Sequence, residues 1–424
     1  MMVEDCHAHG APAIVISQSG HGTMRAMNNP LMQPLSGLRV LDLTSVLFGP
    51  YATQMLGDLG AEVIKVEAPD GDATRRIGPS RNVGMGVGFL GCNRNKRGLV
   101  LDLKREPARA ALWQLIDSAD VFVHNIRPQK VAALGFDANA VMARKPDIVY
   151  GALHGYLEEG PYAGRPAYDD IIQGECGVAA AFLARDGEPA FAPTVLADKS
   201  AGLLAANGIT AALVQKLRTG RGVYMEIGMF ESMAAYTLIE HQFGTSFVPP
   251  QGEAGYTRVI SAERKPYRTL DGYISMLAYT DKQWRAFWRI AGKPEIADDP
   301  GYASIAVRTE NVDRLYASAG ETLATRSTSA WLTALREAEI PCGPINTFED
   351  LRNDAHLGAI GFFRPYQHPS EGALELTDTG LRFNREALPI RHHPPQLGEH
   401  SDEILRDAGL SEQDIRAALS ADND

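Results

Sequence analysis

The sequence predicts an α/β protein built on a parallel sheet with helices on both faces. Three observations carry that reading. Short β-branched apolar runs recur through the first half of the chain, each closed by polar or glycine-containing turns. Stretches with helical spacing of apolar residues lie between them. The runs are apolar nearly throughout rather than alternating, as strands buried on both faces require.

Taken in order, LRVLDL (38–43) reads as the first strand, and YATQMLGDLG (51–60) as a helix stopping on glycine. AEVIKVE (61–67), GLVLDL (98–103), ADVFVHN (119–125) and PDIVYGALHG (146–155) supply four more strands. PARAALWQLIDSA (107–119) is a helix with Pro107 in its first turn. Residues 168–184 form one helix with a small-residue face, and 196–222 a long Ala/Gly-rich helix ending at Gly220. A strand and a helix follow in 223–241, and the irregular stretch 247–259 marks a boundary. Beyond it come a hairpin and helix (267–292), a helix turning into a strand (328–346) and two short amphipathic helices (397–419). Residues 1–35 read as a polar, Gly-rich appendage whose His7 and His9 belong to a solvated tail.

Bulk properties narrow the function. The 424 residues carry 52 acids and 41 bases, a net charge of -11. Such a surface repels phosphate backbones, so nucleic acid is excluded as a general partner, although one local basic pocket is not. The four cysteines, Cys6, Cys92, Cys176 and Cys342, form no CxxC pair. Neither a disulfide framework nor a zinc site is expected, and a reducing cytoplasm fits. No apolar run has membrane-spanning length, and the N-terminus carries acids where a secretory signal has bases.

Several motifs bear on chemistry. GVGFLG (86–91) matches a dinucleotide fingerprint only literally, because a loop precedes it and a polar turn and strand follow. Its glycines are expected to shape a mobile loop. NRNKR (93–97) has two readings, a solvated turn or a phosphate clamp. The clamp reading gains from Lys65, Arg75, Arg76, Arg127 and Lys130 in neighbouring strand-end loops. Asp198, at the head of the Ala/Gly-rich helix, is either its N-cap or a nucleophile. Asp169 and Asp170, beside Tyr168, are either a surface turn or a second acidic site. No G-x-S-x-G or H-E-x-x-H occurs, and His124, His154 and His241 are isolated, which points to structural roles.

At family level, LSGLRVLDLTSVLFGPYATQMLGDLGAEVIKVEAP (35–69), NRNKRGLVLDLK (93–104), PAYDDIIQGECG (166–177), ADKSAGLLAANGITAAL (197–213), IPCGPIN (340–346) and LGEHSDEIL (397–405) resemble the class III CoA-transferases. The matches keep their order from Leu35 almost to the C-terminus. The resemblance implies a large Rossmann-like domain, a smaller α+β domain and an interlocked homodimer. On that basis 1–34 is an N-terminal extension, 35–225 the first part of the large domain, 226–335 linker and small domain, and 336–424 the return to the large domain. It also implies that Asp198 is the nucleophile, with acyl-CoA and a carboxylic acid as substrates and no tightly bound cofactor or metal. Asp169 falls at the position of an acidic residue in the oxalate enzymes' site. Lys96 and Arg97 match cations near the CoA nucleotide, and Asn125 a residue beside its adenosine. Val46 and Leu47 match the loop lining the acyl and pantetheine region, while Arg75 and Arg127 complete the expected CoA contacts. Leu47 stands where the oxalate enzymes have glutamine, and the small domain has no glycine run, so formyl-CoA and oxalate are not the expected substrates. Racemisation on the same scaffold is the alternative, disfavoured because Tyr168 stands where the racemase has its histidine. A non-catalytic CoA-binding protein is a further alternative.

Overall fold

The computed structural model describes residues 33–420. The expected extension, with His7 and His9, lies outside them apart from Gln33 and Pro34. Six strands form the central sheet: β1 (Arg39–Leu43), β2 (Glu62–Glu67), β3 (Lys96–Val100), β4 (Val121–His124), β5 (Val149–His154) and β6 (Val223–Gly228). Their order is β3-β2-β1-β4-β5-β6, and every adjacent pair is parallel. The order reverses between β1 and β4, so the loops after these two strands open the crevice where such sheets take ligands.

The helices are α1 (Phe48–Asp58), α2 (Val87–Leu90), α3 (Glu106–Asp117), α4 (Pro128–Ala133), α5 (Ala138–Arg144), α6 (Asp169–Glu175), α7 (Val178–Asp186), α8 (Ala197–Thr219) and α9 (Met229–His241), with further helices beyond. One sheet face buries Val40, Val63, Val121 and Val149 with Ala52, Leu56, Ala201, Ala205 and Ile209 of α1 and α8. The other buries Leu41, Ile64, Phe122 and Tyr150 with Leu112 and Leu115 of α3 and Ile404 and Ile415 near the C-terminus. Each fully buried aliphatic or aromatic side chain contributes roughly 1.5–3 kcal/mol. A separate apolar cluster, centred on Trp284, Trp288, Tyr316 and Trp331, lies within residues 267–342 beside the antiparallel strands β7 (Tyr267–Arg268), β8 (Tyr273–Met276) and β9 (Cys342–Pro344).

The structure corrects three local expectations. Residues 168–184 are two helices, because Gly177 adopts φ +93° and turns the chain between α6 and α7. The third strand begins at Lys96 rather than Gly98, which draws Lys96 and Arg97 into the sheet. The glycines of 86–91 are packed rather than mobile: a Cβ on Gly86 would lie 2.5 Å from the Ile77 carbonyl oxygen, and Phe89 is fully buried. The close of α8 is as read, with Gly220 at φ +69° ending it.

β3 is an edge strand, and the C-terminal segment covers its open side. His400 N–H donates to the Gly98 carbonyl at 2.9 Å, Gly98 N–H to His400 Nδ1 at 3.2 Å, and Val100 N–H to Ser401 Oγ at 3.2 Å. Among the described residues no helix is long and apolar enough to cross a membrane.

Candidate active site

Two clefts open at the carboxyl ends of the strands. The first, of about 360 Å³, runs over the ends of β1, β2 and β3 and is lined by Leu43, Val66, Ala68, Leu101, Leu103 and Lys104 among others. The second, of about 370 Å³, lies over β4 and β5 and includes Asn125, Arg127, His154, Tyr156, Arg165 and Tyr168. Ser45 lines both, so the segment after β1 forms the wall between them.

Asp198 lies in the first turn of α8, half-buried. It is not the N-cap; Leu196 holds that place. Its own backbone N–H donates to Asp169 Oδ1 at 3.0 Å, so the carboxylate of α6 satisfies one free amide of α8. Asp169 is buried, and its other oxygen accepts from Gln173 Nε2 at 2.5 Å, which rules out the surface-turn reading. Gln173 Oε1 in turn accepts the Ala192 N–H at 2.9 Å and ties down the loop leading to α8. Burial first, and the Asp169 charge second, push the Asp198 carboxyl up to about 6. It is therefore ionised near neutrality yet more basic than an ordinary carboxylate.

The small residues after Asp198 let α8 approach α1 closely. A Cβ on Gly202 would sit 2.9 Å from the Phe48 carbonyl oxygen and 3.1 Å from Tyr51 Cδ1. Val46 and Leu47 immediately precede Phe48, and Gly202 is one turn from Asp198. Val46 and Tyr168 line the same cleft, and Tyr168 adjoins Asp169. The two loops and the acidic pair thus share one region.

The cations expected to clamp phosphate are mostly spent inside the protein. Lys96 is fully buried, and its ammonium shares its three N–H groups among four oxygens, Asp42 Oδ2 at 3.0 Å, the Pro50 carbonyl at 2.9 Å, Thr53 Oγ1 at 2.7 Å and Asn93 Oδ1 at 3.0 Å. Burial raises the Asp42 carboxyl, but Lys96 and Lys65, together with hydrogen bonds from Thr44 and Thr53, outweigh it and hold the group at about 2. Arg75 pairs with Glu67 at 2.6 Å while its guanidinium lies 3.6 Å from the centre of the Phe89 ring. Arg97 bonds Glu62, Glu403 and Asp407 at 2.7–3.0 Å. Asn125, the residue expected beside adenosine, lines the second cleft and grips the Ser45 backbone. Arg127 does reach the second cleft and is exposed.

Sequence reasoning missed Lys104 at the first cleft and Arg165 at the second. Lys104 ends the NRNKRGLVLDLK stretch (93–104), and Arg165 immediately precedes PAYDDIIQGECG (166–177), so position beside the motifs was the available signal. His124 and His154 are not isolated: their rings lie 5.8 Å apart, and His124 Nε2 is 2.8 Å from the Tyr150 hydroxyl. Burial, with His154 next to it, lowers His124 to about 3 and keeps it neutral. Among the described residues His154, Glu158 and Glu226 place possible metal-ligand atoms within 4.8 Å of one another. His154 Nε2 lies 3.0 Å from Glu158 Oε1, and Glu226 Oε1 accepts the Glu158 N–H at 2.7 Å.

Comparison with known proteins agrees with the geometry. A family described as CoA-transferase family III matches residues 35–401. Succinyl-CoA:glutarate CoA-transferase of Mus musculus is 33% identical over 380 residues, covering 89% of this chain and 86% of its own. Acetyl-CoA:oxalate CoA-transferase of Acetobacter aceti is 33% identical, covering 83% and 95%. A mutant of Rv3272 from Mycobacterium tuberculosis superposes with a TM-score of 0.77 at 28% identity, covering 87% of this chain and 98% of its own. A CAIB/BAIF family protein from Brucella suis gives a TM-score of 0.73 at 30% identity, covering 89% and 99%. Matched over most of its length by family, relatives and solved folds, this chain belongs to CoA-transferase family III.

Proposed function

We propose that this enzyme moves CoA from a short acyl-CoA to a free carboxylic acid through covalent intermediates on Asp198. The observation that carries the reading is the place of this half-buried carboxylate in the first turn of α8, its backbone N–H held by Asp169, whose neighbour Tyr168 lines the second cleft.

The Asp198 carboxylate attacks the thioester carbonyl; a C–O bond forms, the C–S bond breaks, and CoA thiolate leaves a mixed anhydride. The thiolate attacks Asp198 Cγ, releasing the donor acid and leaving an aspartyl-CoA thioester. The acceptor carboxylate attacks that carbon and expels thiolate, giving a second anhydride. Thiolate attack on the acceptor acyl carbon yields the new acyl-CoA and restores the carboxylate. Each step exchanges one activated acyl group for another, so no external energy source is needed. Removal of Asp198 from bulk water limits hydrolysis of the anhydride.

The first cleft, apolar with Lys104 at its side, suits the CoA nucleotide, and the second suits the acyl and acid portions. Arg127 and Arg165 in the second cleft favour a dicarboxylic acid, because a guanidinium pairs well with a distal carboxylate. The mouse and human relatives named for succinyl-CoA and glutarate supply the first candidates. We read the assembly as a homodimer. Leu217 (70% exposed) of α8 and Tyr236 (60%) and Ile239 (85%) of α9 present an apolar surface that a second copy would cover.

The test is a screen of acyl-CoA donors against carboxylic acids, with hydroxylamine or borohydride trapping and peptide mass analysis. Transfer with modification at Asp198 is expected. Transfer without any adduct on that residue, under conditions that trap an activated ester, would remove the nucleophile assignment.

A further inference from the structure

Val46 has φ +70°, and among the described residues it is the only β-branched one in the left-handed region. A β-branched side chain there crowds its own backbone, so the shape persists only where its surroundings impose it. Side chains from three other parts of the chain do so. Both carboxylate oxygens of Asp72 accept the Val46 N–H at 3.2 Å. Asn125 holds Ser45 on both sides, accepting its N–H at 3.0 Å and donating to its carbonyl at 2.8 Å. Lys65 Nζ donates to the Thr44 carbonyl at 3.0 Å and to Asp72 at 3.1 Å. Behind them, Glu67 accepts the Asp72 N–H at 2.8 Å and pairs with Arg75. Buried ion pairs bring little net stability over apolar replacements, so two of them converging on one short loop ask for another use. The loop they hold is the wall between the clefts and leads directly into α1, which meets α8 one turn from Asp198.

We propose that Asp72 and Asn125 are positioning residues that force Val46 into its left-handed shape, so that the wall presents the acyl-CoA thioester to Asp198. This rests on the CoA-transfer reading above. Neither residue needs to touch substrate; each acts through the Ser45–Val46 backbone.

Asn125→Ala tests the idea without disturbing the charged side chains, because it frees Ser45 on both sides and lets Val46 leave the left-handed region. The measurement is steady-state CoA transfer, with the donor–acid pair found active in the screen, alongside thermal unfolding. The expected result is a kcat lower by about tenfold or more and a KM for acyl-CoA changed by less than about threefold. Asp72→Asn should give the same kcat loss with a lower melting temperature, since Lys65 loses its partner. Adding Val46→Gly to Asn125→Ala should restore most of the lost kcat, because glycine takes the left-handed shape without being forced. An Asn125→Ala protein with unchanged kcat overturns the proposal, as does an Asp72→Asn protein that melts lower yet turns over normally. Should the unmodified protein exchange no CoA and form no adduct on Asp198, the CoA-transfer reading fails and takes this one with it.

Discussion

The Asp169 carboxylate accepts the backbone N–H of Asp198 at 3.0 Å, linking the first turn of α6 to the first turn of α8. The contact orients the start of α8 and also places a second negative charge beside the reactive one. That charge adds to burial in keeping Asp198 basic.

The pH dependence of transfer follows. Asp198 must be ionised to attack, so kcat/KM should fall about tenfold per pH unit below about 6 and level off above it. Asp169→Asn keeps a side-chain oxygen for the Asp198 amide but removes the charge. The acid limb should then move to lower pH. A limb that stays in place would show that Asp169 does not influence the titration.

Stability should respond with the opposite sign to a salt-bridged carboxylate. Asp198 is raised from 3.8 to about 6 on folding, so the folded chain holds a proton that the unfolded chain releases. The resulting penalty is absent at pH below 3.8, grows as pH rises through this window, and is complete above about 6. Asp198→Asn should therefore stabilise the protein at pH 7.5 by on the order of 1–2 kcal/mol, an effect that fades toward pH 4. The same variant should lose transfer by about 10⁴-fold or more. Paired melting curves and activity assays check both.

Lys96 and Arg127 should separate cleanly by mutation. Lys96→Met leaves Asp42 buried without its partner and should cost about 3–5 kcal/mol of stability, read by denaturant unfolding. Its folded fraction should bind CoA normally. Arg127→Ala should leave the melting curve in place and raise the KM for substrate by about fivefold or more, with weaker salt dependence.

Close packing of the helices gives a further check. Gly202→Leu would drive a side chain into the Phe48 carbonyl and Tyr51. It should destabilise by about 1–3 kcal/mol and lower activity by displacing the head of α8, whereas Gly208→Ala should be milder, meeting the flexible Met225 sulfur.

What the sequence discloses and what it hides follow from range. Strands β1, β2, β4 and β5 and the end of α8 were legible because apolar runs and a glycine stop are local signals. The fate of Lys96 was not, because its partner Asp42 lies 54 residues earlier and meets it only when β3 joins the sheet two strands away. The break at Gly177 was hidden because the stretch holds two glycines, and Gly174 sits inside α6 without ending it. The hairpin of Phe363–His368 with Gly372–Thr377 was also missed; Pro365 interrupts its first strand, and exposed positions dilute its alternation. Of the candidate site, the head of α8 could be seen directly. The role of Asp198 came from resemblance, and its contact with Asp169 spans 29 residues that no local pattern connects.

The cover that residues 398–401 place over β3 also bears on how the nascent chain survives. All six sheet strands have been made by Gly228, yet the outermost keeps bare amides and carbonyls until the last few dozen residues arrive. Until then the half-built protein carries a sticky rim that invites pairing with another ribosomal product. A stop codon placed just before Gly398 should therefore yield insoluble aggregate rather than a slightly shorter enzyme.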